Sequence, residues 1–328
     1  MSANLLNIKQ LYTRLSLEDG CCDVVGGVSL SLDRGATLAL VGESGCGKTM
    51  TAYSIMRLLP VPLAKIVSGS IVFNGEDLSI AEESRMREIR GNCISMIFQE
   101  PLTSLNPVFK VGAQIAEPLQ IHKNMRKKEA LETAVALLRD VGIPSPEKRI
   151  NDYPHQMSGG MRQRVMIAMA LSCHPDLLIA DEPTTALDVT VQSQMIDLLK
   201  RLSARRNMSL LLITHDLGVV AEMADHVAVM YAGKVMEYTN VQSLFQSPMN
   251  PYTVGLIESL PHFGRNRLKP IQGMVPAILD FPKGCKFNTR CKYAFENCYE
   301  KEPPLVNIAG PGSAVHMVRC WKSAANKI

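Results

Sequence analysis

Short apolar runs bounded by Gly and Asp recur along the chain and predict buried β-strands. They lie at Thr37–Val41, Leu177–Ala180, Leu210–Thr214 and Val227–Tyr231. Continuous apolar runs of this length are typical of strands that are covered on both faces of a sheet. Helical patterns separate them, and this alternation predicts an α/β fold with a largely parallel sheet.

Helical periodicity is clearest in the middle of the chain. Lys127–Val141 has apolar residues at helical spacing, and Gly142 follows as a stop signal. A mostly helical block from about residue 100 to about residue 172 interrupts the alternation of strands and helices. We therefore predict an inserted helical subdomain there.

The pattern changes near residue 250, where Pro, Gly and Cys become frequent and the periodicity weakens. We predict a domain boundary at this point, with one domain over residues 1–250 and a C-terminal extension over residues 251–328. No repeat of roughly 20 to 50 residues and no low-complexity tract is found.

Composition narrows the classes of function. The chain has 328 residues, 46% of them hydrophobic, which is enough to bury a large core. The chain has 35 basic and 31 acidic residues, and this near balance of charge does not indicate nucleic-acid binding. The N-terminus lacks signal-peptide features, and the longest helical apolar run, Val165–Cys173, is half of the roughly 18 residues that a membrane span needs. Any membrane role is therefore expected to act through partner subunits.

A phosphate-binding loop follows the first apolar run. Residues 42–49 read Gly-Glu-Ser-Gly-Cys-Gly-Lys-Thr, between the strand Thr37–Val41 and the helical pattern Met50–Leu59. This is the P-loop pattern in its required context, in which backbone N–H groups and the helix start surround phosphate oxygens. Lys48 should reach the β and γ phosphates of ATP, and the Thr49 hydroxyl should ligate Mg²⁺. The expected nucleotide contacts are Gly42, Ser44, Gly45, Cys46, Gly47, Lys48, Thr49 and Met50.

Two later strands end in residues suited to hydrolysis. Asp181 and Glu182 follow Leu177–Ala180 at the carboxyl end of the strand, where parallel sheets bind their ligands. Asp181 suits Mg²⁺, and Glu182 can polarise the attacking water. His215 follows the strand Leu210–Thr214, and we expect it to contact the γ phosphate.

A further motif, Met157-Ser158-Gly159-Gly160-Met161, resembles the signature sequence of ABC ATPases, although Met stands where Leu and Gln are commoner. Ser158, Gly159 and Gly160 precede a helix that is predicted to start near Gly160, which makes a second anion-binding helix start. The resemblance implies that two such domains meet head to tail, so that each signature covers the γ phosphate held by the other domain.

The same resemblance assigns roles to three other residues. Gln99 looks like the glutamine that senses Mg²⁺ and connects to the membrane subunits. Asp188, in Thr185-Ala186-Leu187-Asp188, is similar to the residue that faces the partner domain. The expected position of the adenine-stacking aromatic holds Leu15, so Tyr12, three residues earlier, is the candidate. The fold implied is an ABC-type P-loop NTPase with a RecA-like core sheet, an antiparallel β subdomain, the inserted helical subdomain and a small irregular metal-binding extension.

Longer runs narrow the resemblance to the dipeptide, oligopeptide and nickel importers. They are Gln99–Pro107, Tyr153–Gly160, Asn250–Thr253 and Pro282–Cys285. The resemblance implies an ATPase on the cytoplasmic face of the bacterial inner membrane. Its implied partners are two transmembrane permease subunits, an external substrate-binding protein and a second ABC ATPase, commonly a paralogue. Cargo selectivity would lie in those partners.

Two other classes of function fit less well. A soluble ABC ATPase that acts on ribosomes or DNA predicts two fused ATPase units or a long coiled-coil insertion, and the sequence has neither. A non-catalytic partner subunit would be expected to lack the acidic residue that stands here as Glu182.

Four cysteines of the extension indicate a metal centre, at Cys285, Cys291, Cys298 and Cys320. Structural zinc sites usually contain cysteine pairs two to four residues apart, and these intervals are wider. Four thiolates also suit a [4Fe-4S] cluster, which similar peptide-importer ATPases carry with this spacing. We expect the cluster, with a structural or redox-sensing role; zinc and free thiols are the alternatives.

Overall fold

The computed structural model describes residues 4–99, 105–184, 188–260, 270–310 and 314–325. They form two compact units, each assembled from stretches that are distant in sequence. Unit 1 contains Arg34–Ala36 and Ala81–Leu212, and unit 2 contains Ala3–Asp33, Thr37–Ile80 and Ile213–Ile328. The domain boundary near residue 250 stays a prediction.

Strands and helices alternate through most of the described chain. The strands are β1 (Asn4–Leu17), β2 (Gly20–Asp33), β3 (Thr37–Val41), β4 (Ala64–Phe73), β5 (Glu76–Asp77), β6 (Ile94–Ile97), β7 (Leu177–Asp181), β8 (Ser209–Thr214), β9 (His226–Tyr231), β10 (Lys234–Asn240), β11 (Val306–Asn307) and β12 (Met317–Val318). The α-helices are α1 (Lys48–Met56), α2 (Glu83–Ile89), α3 (Val111–Lys123), α4 (Lys127–Asp140), α5 (Pro146–Arg149), α6 (Gly159–Ala170), α7 (Val189–Arg206), α8 (Leu217–Met223), α9 (Val241–Gln246), α10 (Pro251–Glu258), α11 (Glu296–Glu300) and α12 (Trp321–Ala325).

The four predicted strands are confirmed as β3, β7, β8 and β9, with ends that differ by at most one residue. The predicted helix at Lys127 is confirmed as α4, and Gly142 follows it with a φ of +76°. The helix predicted at Met50–Leu59 begins earlier, at Lys48, because the last residues of the phosphate loop form its first turn. Arg57, in the left-handed region at φ 50°, ends it.

Unit 2 contains an antiparallel sheet and part of a mixed one. The antiparallel sheet has the order β2-β1-β4-β5. In the mixed sheet, β3 pairs with β9 in parallel, and β9, β10, β12 and β11 follow in antiparallel pairs. Ala232 and Gly233 join β9 to β10 with φ values of 46° and 79°, the backbone that a tight hairpin requires. The expectation of a largely parallel sheet is therefore right for β3 and β9 and wrong for the strands beyond this hairpin.

Unit 1 combines a parallel strand pair with a helical block. β6 and β7 pair in parallel from Ile94↔Leu177 to Ile97↔Ala180. Residues 105–172, all of which are described, contain helices and no strand. The buried face of α4 is formed by its periodic apolar positions, Ala130, Ala134, Leu137 and Leu138. Among the described residues, no helix has both the length and the apolar composition to cross a membrane.

Three buried aromatic rings pack C-terminal residues of unit 2 against β9. Tyr231 ends β9, Tyr252 lies in α10, and Phe287 lies in the cysteine-containing segment. Their ring centroids are 4.7 to 5.3 Å apart, in tilted and edge-on arrangements that aromatic pairs prefer. Because the rings bury a large apolar area, this cluster holds α10 and the segment around Phe287 against β9.

Replacing Phe287 with alanine should remove one of the three rings of this cluster. We expect Phe287→Ala to lower the free energy of unfolding by about 3 to 5 kcal/mol, because the cavity cannot close completely. Urea denaturation would measure the change. Phe109→Ala is the control, since the Phe109 side chain is exposed; equal losses in the two variants would contradict the role given to the cluster.

Candidate functional site

The phosphate loop lies between β3 and α1 in unit 2, and its bend depends on glycine. Gly42, Gly45 and Gly47 have φ values of 151°, 79° and 100°, which other residues rarely adopt. A Cβ atom on Gly42 would collide with the carbonyl oxygen of Met230, and one on Gly47 with that of Val24. Close backbone packing therefore explains the glycines at both ends of the loop.

Lys48 places a buried cation at the end of this loop. The residue is 5% exposed, and its Nζ donates to the carbonyl oxygens of Gly42 at 2.8 Å and Glu43 at 3.1 Å. No side chain caps the N-terminus of α1, and its first turn has no acidic residue. A helix start without a side-chain cap, beside a buried ammonium group, has the chemistry to bind an anion.

The other predicted loop contacts differ in accessibility. Ser44 and Gly45 are exposed, and Thr49 and Met50 are partly exposed, so a phosphate can reach all four. Cys46 is buried, and burial raises the pKa of its thiol, although Lys48 acts in the opposite direction. Cys46 can therefore contribute to a phosphate site through its main chain and not through its sulfur.

The acidic strand end lies in unit 1 together with Gln99. Asp181 is the last residue of β7 and is 1% exposed. Glu182 follows in the left-handed region, at φ 46°, where non-glycine residues are uncommon. Because β6 and β7 are parallel and in register, Gln99 and Glu182 emerge at the same edge. The Gln99 Nε2 donates to the Glu182 Oε2 at 3.2 Å, a contact that the sequence does not reveal.

His215 follows β8 directly, as predicted, and its side chain is exposed. The next residue, Asp216, caps α8 by accepting from the backbone N–H groups of Gly218 at 2.8 Å and Val219 at 3.4 Å. The imidazole is thus presented from a short, hydrogen-bonded turn. Its contact with a γ phosphate stays a prediction.

Ser158 caps α6, and its Oγ accepts from the Met161 N–H at 3.3 Å. Ser158 and Gly159 are exposed, and among the described residues no atom outside the adjoining residues and helix backbone lies within 4 Å of a Cβ position on Gly159. The helix starts at Gly159, one residue before the predicted position. This open helix start can accept an anion from outside, as the sequence predicts for Ser158, Gly159 and Gly160.

Asp188 is exposed and caps α7, where it accepts from the Val191 N–H at 2.9 Å. The rest of its motif, residues 185–187, lies outside the described residues, as do residues 100–104 of the run that begins at Gln99. The expectation that Asp188 faces a partner domain stays a prediction.

Tyr12, the candidate for adenine stacking, lies in β1 of unit 2 and is partly buried. Its hydroxyl lies against Gly27, where a Cβ atom would approach to 2.7 Å. The Lys234 Nζ is 5.7 Å from its ring centroid. The ring therefore already has a cationic neighbour, and stacking on adenine stays a prediction.

The four C-terminal cysteines come together in unit 2. Cys285, Cys291, Cys298 and Cys320 line one small cavity, together with Phe295. Burial raises the pKa of the Cys285 thiol to about 11, and the neighbouring thiols act in the same direction. None of the four forms a disulfide, and the described residues contain no group of three or more His, Cys, Asp or Glu arranged to hold a metal ion.

Comparison with known families gives two matches along this chain. Residues 25–185 match the ABC transporter family, and residues 236–298 match the oligopeptide/dipeptide transporter C-terminal region. The first match contains the phosphate loop, the signature motif and Asp181 with Glu182. The second contains Cys285, Cys291 and Cys298.

Similar proteins extend the likeness to nearly the whole chain. The probable peptide ABC transporter ATP-binding protein y4tR of Sinorhizobium fredii is 51% identical over 97% of this chain and 95% of its own length. The oligopeptide transport ATP-binding protein OppD of Bacillus subtilis is 48% identical over 97% of this chain and 88% of its own. Among solved structures, the ATP-binding cassette MJ0796, in a dimeric post-hydrolysis state bound to ADP and Pi, has a similar fold, with a TM-score of 0.65. The similarity covers 72% of this chain and 98% of that one, at 24% sequence identity, so it shows the fold alone. The chain therefore belongs to the ABC transporter family, as an ATP-binding protein with an oligopeptide/dipeptide transporter C-terminal region.

Proposed function

We propose that this ATPase powers the import of dipeptides, oligopeptides or nickel complexes through a membrane-embedded ABC transporter. The main observation behind the proposal is the phosphate loop, where the buried Lys48 lies at the start of α1 and no side chain caps that helix. Relatives such as OppD are named for oligopeptide transport, and the C-terminal match is to that same class. The transmembrane permeases and the external binding protein would then select the cargo.

ATP binding would begin at the loop of unit 2. The exposed backbone at Ser44 and Gly45 and the first turn of α1 offer N–H groups to phosphate oxygens, and Lys48 adds the cation. Lys48 now donates to two loop carbonyls, and a phosphate would compete for the same ammonium group. The Thr49 hydroxyl, at the accessible end of the loop, is the proposed ligand for Mg²⁺.

Hydrolysis would depend on the acidic strand end of unit 1. The Asp181 carboxylate and the Gln99 amide oxygen are hard oxygen donors of the kind that Mg²⁺ prefers, so these residues fit that ion. Bound Mg²⁺ would neutralise charge on the phosphates. The Gln99 N–H orients the Glu182 carboxylate at 3.2 Å, and Glu182 would accept a proton from the attacking water. His215 would stabilise the γ phosphate.

The exposed helix starts support an assembly of two ATPase domains. We propose that Ser158, Gly159 and Gly160 approach the γ phosphate bound by a second ABC ATPase, identical or paralogous, with Asp188 at the same interface. The open N-terminus of α6 supports this, because an exposed helix start without an acidic first turn attracts an anion. The pair would work on the cytoplasmic face of the inner membrane.

We also propose that Cys285, Cys291, Cys298 and Cys320 hold a [4Fe-4S] cluster. Four thiols that line one cavity are the donor set that such a cluster uses, and this chemistry supports the proposal, although the described residues contain no preformed group of three metal ligands. A bound cation would favour the thiolate form of Cys285, whose pKa is raised by burial. The cluster would cross-link the extension or sense oxidants, and zinc is the alternative occupant.

Removing the proposed general base should separate binding from turnover. We expect Glu182→Gln to lower ATPase activity by at least about a hundredfold, because the amide cannot accept a proton, while ATP binding persists. A phosphate-release assay and an equilibrium ATP titration would measure the two quantities. Glu132→Gln, at an exposed position of α4, is the control; near-normal hydrolysis by Glu182→Gln would refute its role.

Removing the loop cation should instead weaken binding itself. We expect Lys48→Ala to raise the Kd for ATP by about tenfold or more, since a charge-assisted contact to phosphate is lost. Isothermal titration calorimetry with ATP would measure this. Lys65→Ala removes an exposed lysine of β4 in the same unit and should leave the Kd unchanged. An unaltered Kd for Lys48→Ala would exclude the assigned contact.

Anaerobic purification should decide what the cysteines bind. A [4Fe-4S] cluster predicts a broad absorbance near roughly 400 nm and about four iron atoms per chain. Iron and zinc assays, repeated on Cys298→Ser, would measure both. One zinc and no iron would replace the cluster with a zinc site, and neither metal would leave free thiols.

A further inference from the structure

Glu43 is an acidic residue inside a loop that binds anions, and a buried arginine holds its side chain. The Arg290 Nη1 donates to the Glu43 Oε2 at 2.6 Å, and the Nη2 donates to the Oε1 at 3.1 Å. The Arg290 side chain is 4% exposed, compared with 29% for Glu43. Two parallel hydrogen bonds between a guanidinium and a carboxylate fix both position and orientation.

Arg290 is itself fixed by its surroundings in unit 2. Its Nε donates to the Gln272 carbonyl oxygen at 3.0 Å. Its Nη1 lies 3.4 Å from the Tyr231 hydroxyl, and its guanidinium lies over the rings of Tyr231 and Phe287 at 5.8 and 5.9 Å. Because so many groups hold it, Arg290 can act as a rigid support for Glu43.

The main chain of Glu43 is held as well. Its N–H donates to the Tyr252 hydroxyl at 3.0 Å, and its carbonyl accepts from the Lys48 Nζ at 3.1 Å. Tyr252 and Arg290 both lie beyond residue 250. The C-terminal part of the chain therefore holds Glu43, whose carbonyl also accepts from Lys48.

Electrostatics give this contact a consequence for an anionic ligand. Glu43 and Lys48 alone would leave the loop with no net charge, and the carboxylate would repel phosphate oxygens. The guanidinium of Arg290 compensates the carboxylate and restores a net positive charge. At short range in a partly buried site, this added positive charge raises the affinity for an anion.

We propose that Arg290 is a positioning residue for ATP: it holds and neutralises Glu43, and thereby keeps the phosphate loop in shape and net positive. This inference rests on the proposed function, in which the loop binds ATP. Arg290 directly precedes Cys291, one of the proposed cluster ligands. The order of the cysteine segment therefore sets the position of the guanidinium, which links that segment to the nucleotide loop.

The test compares single and paired substitutions in the full-length chain. Arg290→Ala should raise the KM for ATP by about tenfold and change kcat by less than about twofold, because it acts on binding and not on Glu182. Arg290→Lys keeps the charge but loses the paired hydrogen bonds, so its KM should be intermediate. The double variant Glu43→Gln with Arg290→Met removes both charges and should recover most of the lost affinity.

Arg319→Ala is the matched control. Arg319 is another mostly buried arginine of the C-terminal residues, bonded at 2.9 Å to Glu302 and not to the loop. The Arg319→Ala variant should lower the Tm about as much as Arg290→Ala does, but it should leave the KM for ATP unchanged. Equal rises in KM for the two variants would reduce Arg290 to a purely structural role and overturn the inference.

The outcomes separate this inference from the proposed function. A folded Arg290→Ala variant that binds ATP as the wild type does overturns the inference alone. A double variant no better than Arg290→Ala overturns it too, since neutralising Glu43 would then have no effect. Failure of the wild-type chain to bind ATP would overturn the proposed function, and the inference with it.

Discussion

The phosphate loop can surround an anion because the backbone of unit 2 packs closely against it. Gly42 lies against the Met230 carbonyl of β9 and Gly47 against the Val24 carbonyl of β2, with no room for a Cβ atom at either position. These contacts fix where the loop leaves β3 and where α1 begins. Everything proposed for ATP depends on this bend, because it determines the direction of the N–H groups and brings Lys48 to the loop carbonyls.

C-terminal residues also contact this loop. Tyr252 and Phe287 join the aromatic cluster on β9, while Arg290 reaches Glu43 inside the loop. β12 extends the sheet by pairing with β10. The extension is thus part of the structure that shapes the nucleotide loop, and the cysteines lie in the same segment. This arrangement gives a physical reason for the extension to affect ATP binding even though it lies outside the phosphate-loop motif.

Local patterns in the sequence predicted much of the fold and the motifs of the site. Short apolar runs form β3, β7, β8 and β9, and the loop motif lies between a strand and a helix. Residues adjacent in sequence are therefore sufficient to predict these elements. The long strands β1 and β2 were not predicted from periodicity, because polar residues interrupt their apolar positions, such as Lys9 and Arg14 in β1 and Asp23 in β2. The antiparallel pairing beyond β9 follows from the Ala232–Gly233 hairpin, whose backbone is not evident from the apolar pattern.

Side-chain pairs from distant parts of the chain could not be predicted in this way. The contact of Gln99 with Glu182 spans 83 positions and that of Arg290 with Glu43 spans 247. Each depends on strand pairing or ring packing that only the folded chain provides. The motifs therefore identify which residues bind and react, and the tertiary structure identifies which residues hold them in place.

Hydrogen–deuterium exchange with and without Mg·ATP would report on the backbone amides of the loop, on whose direction ATP binding depends. We expect the amides of residues 44–50 to become protected as ATP is added, in proportion to the bound fraction. Unchanged exchange in this segment at saturating ATP would contradict this expectation.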